Sequence, residues 1–477
     1  MATVGFVKGP AMATTTNAAP PKRAITIIIA SLMLFSMFFG AGNLIFPPMV
    51  GASSGTNFWP AILGFLAAGV ILPALAVVAV AISGQSVRDI GNHGGKIFGV
   101  VFSVIAYLAI GAFYALPRTG AVSMETAITP LLGWEGAFPN AAYNLVFFGI
   151  TLLLSWRPNS IIDILGRFLT PALVILLIAL ITLAAFANPR SPGAPTEDYV
   201  SSPMVTGLFE GYNTMDAIAG LAFSIVIVSS LRAKGFSDKR HRVNGTITAA
   251  VIAGSILALI YLGLAWIAQT MPDNQSYESG TYLLADAANA TMGTIGQSVF
   301  SAIVILACLT TSVGLVTSTS EFFSLLVPKL NYHFWAVLFS VVSFALAVQG
   351  LDTVLSIAVP FITFLYPPAI ALIFLALIQP LVKKAVVFYW GYRLALWMSV
   401  LWSALTVISD QGWGTSFLSP ILELSPGQDV GLGWFTPALI CCIIGVVIDV
   451  VTKAGEKHEA AKLESAQEDL PAQATAQ

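Results

Sequence analysis

Apolar residues run in long stretches along this chain, separated by short polar segments, and the length of the stretches sets the architecture. Twelve runs of spanning or near-spanning length lie at roughly 24–50, 58–83, 97–116, 141–156, 164–187, 204–231, 244–269, 295–327, 334–350, 353–379, 390–409 and 433–452. A spanning helix needs about 20 mostly apolar residues. The short alternating segments of a membrane β-barrel are absent, so the pattern predicts an all-α polytopic membrane protein with twelve transmembrane helices.

Two runs are interrupted. The first reads FFGAGNLIFPPMVG (residues 38–51), with Gly40, Gly42, the polar Asn43 and the pair Pro47-Pro48. The sixth reads LFEGYNTMDAIAG (residues 208–220), where Glu210, Gly211, Asn213 and Asp216 enter an apolar span. Backbone freed from a helix at membrane depth finds no partner in lipid, so a broken span lines a cavity or packs on protein. A half-helix starting near Asn43 presents free N–H groups to an anion such as a carboxylate, and one ending near Phe39 presents carbonyls to a cation. Gly40 and Gly42 serve either close helix packing or close approach of a ligand to the backbone; Pro47-Pro48 reads as a kink or helix end near the outer face.

The interruptions sit five spans apart. Residues 24–187 then form one five-helix unit and 204–379 a second, inverted one, with 390–452 adding helices 11 and 12. Matching broken helices in two inverted repeats are the signature of a secondary transporter.

Composition agrees. The chain has 477 residues, 57% hydrophobic and 9% charged, against about 25% charged in an ordinary soluble domain. Nineteen of the 21 Lys and Arg residues fall on one side of the twelve-span arrangement, and only Arg118 and Arg190 fall on the other. The positive-inside bias therefore places both termini, residues 1–23 and 453–477, in the cytoplasm. The run after Lys22-Arg23 continues without a small-residue cleavage site and reads as a retained helix. The tail turns rich in Ala and Gln, a frayed helix or disordered segment. No basic cluster interleaved with aromatics points to nucleic acid. Cys308, Cys441 and Cys442 lie in apolar runs without a CxxC pair and read as packing residues.

The two interrupted motifs, FFGAGNLIFPP and EGYNTMDAIAGLAF, closely resemble those of the branched-chain amino acid:cation symporter family, within the amino acid–polyamine–organocation superfamily. The resemblance covers the whole set of helices. It implies a five-plus-five inverted repeat in a bacterial inner membrane, importing leucine, isoleucine and valine with sodium as the coupling ion. It also implies roles. Gly40, Ala41 and Gly42 match the helix 1 break that holds a substrate carboxylate. Ala307, Thr310 and Thr311 in ILACLTTSVG match a helix 8 cation pattern, with Ser36 and Phe39 supplying helix 1 carbonyls; sodium favours such hard oxygen ligands. Back-bonding to the preceding turn is the structural reading of the same threonines. Relatives of the neurotransmitter type carry an Arg after the first break, and no Arg occurs between Arg23 and Arg88 here.

Carboxylates at membrane depth cost about 2.5–3.5 kcal/mol on insertion scales and usually have a functional partner. Glu210 is expected on the ligand side or in gating, with a break at Gly211 letting it and Asp216 both point inward. Asp216 binds the substrate or holds the helix 1 break in shape. Phe223 and Tyr107 are candidates for the apolar pocket. Glu321 reads as half of a structural pair, and Arg118 with Glu125 as flanks of an outer turn. A proton-coupled carrier is the alternative, since Glu210 or Asp216 can carry the proton. A channel would need a polar stripe along several helices, whereas the polar breaks are concentrated at two positions. A membrane-embedded enzyme is disfavoured: His93, His241, His333 and His458 lie in loops or the tail, and no HExxH or GxSxG accompanies the carboxylates. GNHGGKIF fails the spacing of an ATP-binding loop.

Overall fold

The computed structural model of the protein describes residues 23–84, 86–187, 191–460 and 464. The N-terminal segment before Arg23, Arg190 and most of the C-terminal tail lie outside the described residues. Among those described there is no strand, and the chain forms a helical bundle. Among the described residues ten helices are long and apolar enough to cross a membrane, while the expected first and ninth spans hold shorter apolar helices.

The first interrupted run forms α1 (Arg23–Phe38) and α2 (Ala41–Ser54). The second span is α3 (Phe58–Leu66) and α4 (Leu72–Ser83), joined by a π-turn. Next come α5 (Lys96–Leu108), α6 (Ala115–Ser123), α7 (Ala137–Ser155) and α8 (Thr170–Ala187). The sixth span is split into α9 (Pro203–Asn213) and α10 (Asp216–Ala233). The remainder comprises α11 (Lys239–Thr270), α12 (Gly280–Met292), α13 (Thr294–Leu326), α14 (Tyr332–Ala347), α15 (Leu351–Val382), α16 (Trp390–Asp410) and α17 (Phe435–Thr452).

Pro47 and Pro48 lie inside α2 and do not end it, which excludes the helix end of the two expected readings. The third span does not stop at residue 116, and Arg118 and Glu125 do not flank an outer turn: helix persists from Lys96 to Leu132, with π-turns at Ala109–Phe113 and Met124–Ile128. Tyr114 breaks the regular dihedrals, so α6 restarts after it and Pro117 sits in a first helical turn. There its missing N–H is one of the donors that any helix start leaves unpaired.

Close packing joins the two halves in matching ways. Half-helix α2 lies on α11, where a Cβ at Gly51 would come within 2.0 Å of the Ala265 carbonyl oxygen. Half-helix α9 lies on α3, where a Cβ at Gly207 would come within 2.0 Å of the Ala61 carbonyl oxygen. Small residues let backbones approach this closely where lipid offers no hydrophobic drive to association. Each broken helix thus packs one of its halves on the helix that follows the other break, as inverted repeats require. Around this centre α1 contacts α10, α11 and α13. The last helix lies at the periphery, with Val451 77% exposed on its outer face. On the opposite face Asp449 is buried and accepts from the amides of Tyr389, Trp390 and Gly391 at 2.8–3.0 Å, capping α16.

Candidate functional site

The two breaks meet. At the first, residues 39–40 leave the helix and α2 restarts at Ala41. The Asn43 side chain folds back over the gap: its Oδ1 accepts from the Gly40 amide at 2.9 Å. Its Nδ2 donates to Asp216 Oδ2 at 2.6 Å and to the Tyr261 hydroxyl. Tyr261, from α11, donates to the same Asp216 oxygen at 3.1 Å. Asp216 is 3% exposed and opens the second half-helix of the sixth span. One amide, one phenol and one carboxylate therefore fix the two breaks to each other.

The second break is built differently. It falls at Thr214 and Met215, not at Gly211. Met215 adopts a left-handed conformation (φ 63°), uncommon for a residue with a side chain. The turn is held by Thr214 Oγ1 donating to the Gly211 carbonyl at 2.8 Å and the Met215 amide donating to that of Tyr212 at 2.9 Å. Tyr366 donates to the same Tyr212 carbonyl at 2.7 Å. Gly211 instead serves packing, since a Cβ there would come within 2.8 Å of the Phe65 carbonyl oxygen.

Arg118 completes the arrangement. It is 5% exposed and reaches the gap from α6. Its guanidinium donates to the Tyr114 hydroxyl and, at 3.4 Å, to the Thr214 carbonyl, and it lies 4.6 Å over the Tyr114 ring. Its Nε is buried with no hydrogen-bond partner among the described residues. A Cβ at Gly42 would fall 2.9 Å from Arg118 Nη2. The glycine thus leaves room for a guanidinium beside the first amides of α2, which have no partner within their own helix. A guanidinium and orphan amides together form a carboxylate-binding environment. Glu125, the other residue of the expected outer turn, accepts from Tyr282 at 2.8 Å.

A second cluster lies against the same break. Thr310 and Thr311 on α13 both donate to the Ser36 carbonyl, at 3.0 and 3.2 Å. Thr310 also back-bonds to Ala307 at 3.1 Å. The cross-helix bond of Thr311 is not the back-bonding of an isolated helix. Thr311 also touches the break, since a Cβ at Gly40 would lie 2.7 Å from its Oγ1. Phe39, next in the chain, donates its amide to Phe35 at 2.8 Å and stacks on the Phe35 ring. The cluster offers hard, neutral oxygens to a small cation.

The structure brings together Ser36, Gly40, Gly42, Asn43, Asp216, Thr310 and Thr311. Ala41 begins α2 beside them, and Phe223 packs its ring 5.7 Å from that of Phe38 at the end of α1. Glu210 and Asn213 stand apart from the Asp216 network: they pair with each other at 3.4 Å, and Asn213 lines a separate cavity with Tyr366, Trp402 and Asp410. Arg118, Tyr114, Thr214 and Tyr261 join the site although the sequence did not single them out for it. The one signal was Arg118, a basic residue on the wrong side of the charge census.

Residues 23–452 match the family described as branched-chain amino acid transport protein. The chain is 49% identical over 424 residues to the branched-chain amino acid permease BrnQ of Corynebacterium glutamicum, covering 89% of this chain and 95% of that protein. It is 35% identical over 424 residues to the permease BraB of Bacillus subtilis, covering 88% and 95%. Among solved structures, the nucleobase-cation-symport-1 family transporter Mhp1 aligns with a TM-score of 0.57 at 12% identity, over 91% of this chain and 94% of that one. The transporter MhsT, solved with L-phenylalanine, aligns at 0.53 and 16% identity, over 88% and 98%. These two share the fold. The chain is a multi-pass membrane transporter and not an enzyme.

Proposed function

The chain belongs to the branched-chain amino acid transport protein family, and from that premise we propose that it imports leucine, isoleucine and valine across the bacterial plasma membrane by sodium symport. The substrate sits between the two breaks, its carboxylate on the α2 amides and Arg118, its ammonium toward Asp216. Buried with Phe223 and Tyr107, a branched side chain gains about 1.5–3 kcal/mol, enough to prefer leucine over alanine but not over isoleucine. Sodium occupies the Ser36, Thr310 and Thr311 oxygens, with Ala307 and Phe39 as further carbonyl donors, and reads the same break from the other side. Alternating access follows when α1 and α10 rock against the rest around that shared point.

The observation that carries sodium over protons is the convergence of two adjacent hydroxyls on one carbonyl beside the first break. The test is uptake by purified protein in liposomes under imposed sodium or proton gradients, comparing leucine, isoleucine, valine and unrelated amino acids. Thr311→Val, which keeps shape and removes an oxygen, should weaken apparent sodium affinity first. Full accumulation with an unchanged sodium response would refute sodium coupling.

Proton coupling is favoured by a different observation. Asp216 is buried with neutral donors, and among the described residues it forms no ion pair. In that reading Thr311→Val is mild, and Asp216→Asn uncouples uptake from the proton gradient while exchange persists. Orientation is tested with single cysteines in a background without the native three. A tag at Asn274 should react from outside intact cells and one at Ser237 should not; the opposite pattern overturns cytoplasmic termini.

A further inference from the structure

Away from the breaks, α10 and α13 enclose a second polar space. Following α10 from Asp216, one meets first an aromatic layer. Phe223 packs on Phe38, and the Ala222 carbonyl accepts from the Tyr107 hydroxyl at 3.1 Å. Tyr107 in turn stacks on Phe322 of α13, 4.1 Å between ring centres. Beyond that layer lies a cavity of about 380 Å³, bounded by α10, α13 and the segment before α5. Four charged side chains line it: Arg88, Asp89, Arg232 and Glu321.

Glu321 is half-buried, and among the described residues its carboxylate accepts a single side-chain bond, from Ser229 Oγ at 3.4 Å. The structural pair expected for it from sequence does not form. Among the described residues no ion pair joins Glu321, Arg88 or Arg232 to any partner. The two arginines are exposed at the mouth, and Ile225, Val228 and Leu325 supply an aliphatic wall. Two positive and two negative groups balance. An anion alone would face two carboxylates, and a cation alone would face two guanidiniums. A zwitterion satisfies both: its carboxylate takes an arginine and its ammonium takes Glu321, each as a charge-assisted hydrogen bond. The volume suits a small metabolite, toward the lower end of ligand pockets, which span about 300–1,000 Å³.

We propose that this cavity is a second binding site, selective for free aliphatic α-amino acids and separated from the paired breaks by the Tyr107–Phe322 stack. The aliphatic class follows from the proposed function; the residues and the test are separate from it. Expected orientation places the cavity on the cytoplasmic side, where imported substrate leaves the carrier.

The experiment is equilibrium dialysis of purified protein against radiolabelled leucine. Two molecules should bind per chain, one tightly and one weakly. Glu321→Gln and Arg232→Gln should each weaken the second by roughly tenfold or more, the cost of one hydrogen bond to a charged group, and leave the first unchanged. Val228→Trp, which fills the cavity without touching its charges, should abolish the second while thermal unfolding stays as in the parent. 4-Methylpentanoate, lacking the ammonium, and 3-methylbutan-1-amine, lacking the carboxylate, should each fail to displace the weakly bound molecule. A single leucine per chain in the parent protein overturns the proposal. So does a second leucine insensitive to all three substitutions, or displacement by either half-ligand alone. The reading of the breaks fails on a different result, retention of the tightly bound molecule in Gly42→Leu.

Discussion

The two helix breaks occupy equivalent places in the two halves but are made by opposite means. The first is written in glycine. Gly40 and Gly42 leave space on two sides, one for Thr311 and one for Arg118, and Asn43 closes the gap with its own side chain. The second contains no glycine at the turning point. Its geometry rests on Met215 in a left-handed conformation, secured by Thr214 within the turn and by Tyr366 from outside it. The first break has room because its glycines carry no side chains. The second is braced by side chains instead.

Substitutions should separate these two designs. The largest effect is expected from Gly42→Leu, which displaces Arg118 and covers the α2 amides. Losing two hydrogen bonds to a charged carboxylate, about 1.5–3 kcal/mol each, should cut leucine binding roughly 100-fold or more. Gly42→Ala, whose methyl meets only the movable end of Arg118, should fall between. Normal leucine affinity in Gly42→Leu would remove the first break from the site.

Arg118→Lys comes next. It keeps the charge but loses the planar fork and the contact with Tyr114, so leucine KM should rise by about tenfold with a smaller change in maximal rate. An unchanged KM would confine Arg118 to structure.

At the second break the readout moves from affinity to stability. Met215→Val places a β-branched side chain in the left-handed region, and a cost of about 1–3 kcal/mol should lower the unfolding temperature in detergent. Met215 is 1% exposed, so the control is Met215→Leu, similar in volume and unbranched at Cβ, which should stay within about 1.5 kcal/mol of the parent. Equal melting of the Val and Leu variants would show that the turn carries no conformational strain.

The smallest effect is expected at Glu210. It lies on α9 with Asn213, away from Asp216, so Glu210→Gln should alter leucine uptake by no more than about twofold, the range of a peripheral polar change. A severe loss would return Glu210 to the substrate.

What could be read in advance follows the same division. Apolar run lengths and the glycine-marked first break announce themselves locally, because spanning a bilayer and leaving helical geometry are constraints on consecutive residues. The threonine pair on the eighth span was legible too, but only through resemblance, since Thr310 and Thr311 meet Ser36 across some 270 residues of chain. The second break was misplaced at Gly211 because glycine is a symptom both of breaking and of close packing, and here it packs against Phe65. Arg118 was misread for a related reason: Pro117 looks like a terminator, yet a proline in the first turn of a restarted helix costs little.

By itself, then, the sequence determined a twice-interrupted helical bundle for the membrane, with a break able to receive an anion. That much is fixed by hydrophobic length and backbone freedom, which neighbouring residues settle among themselves. The tertiary structure alone decided which side chains stand in the break. Asn43, Asp216 and Tyr261 come from three helices, and Arg118 enters from a fourth. Their meeting depends on how α2 and α9 pack on α11 and α3. In a low-dielectric interior a buried charge must find its partners wherever the packing brings them, and no local pattern records where that will be.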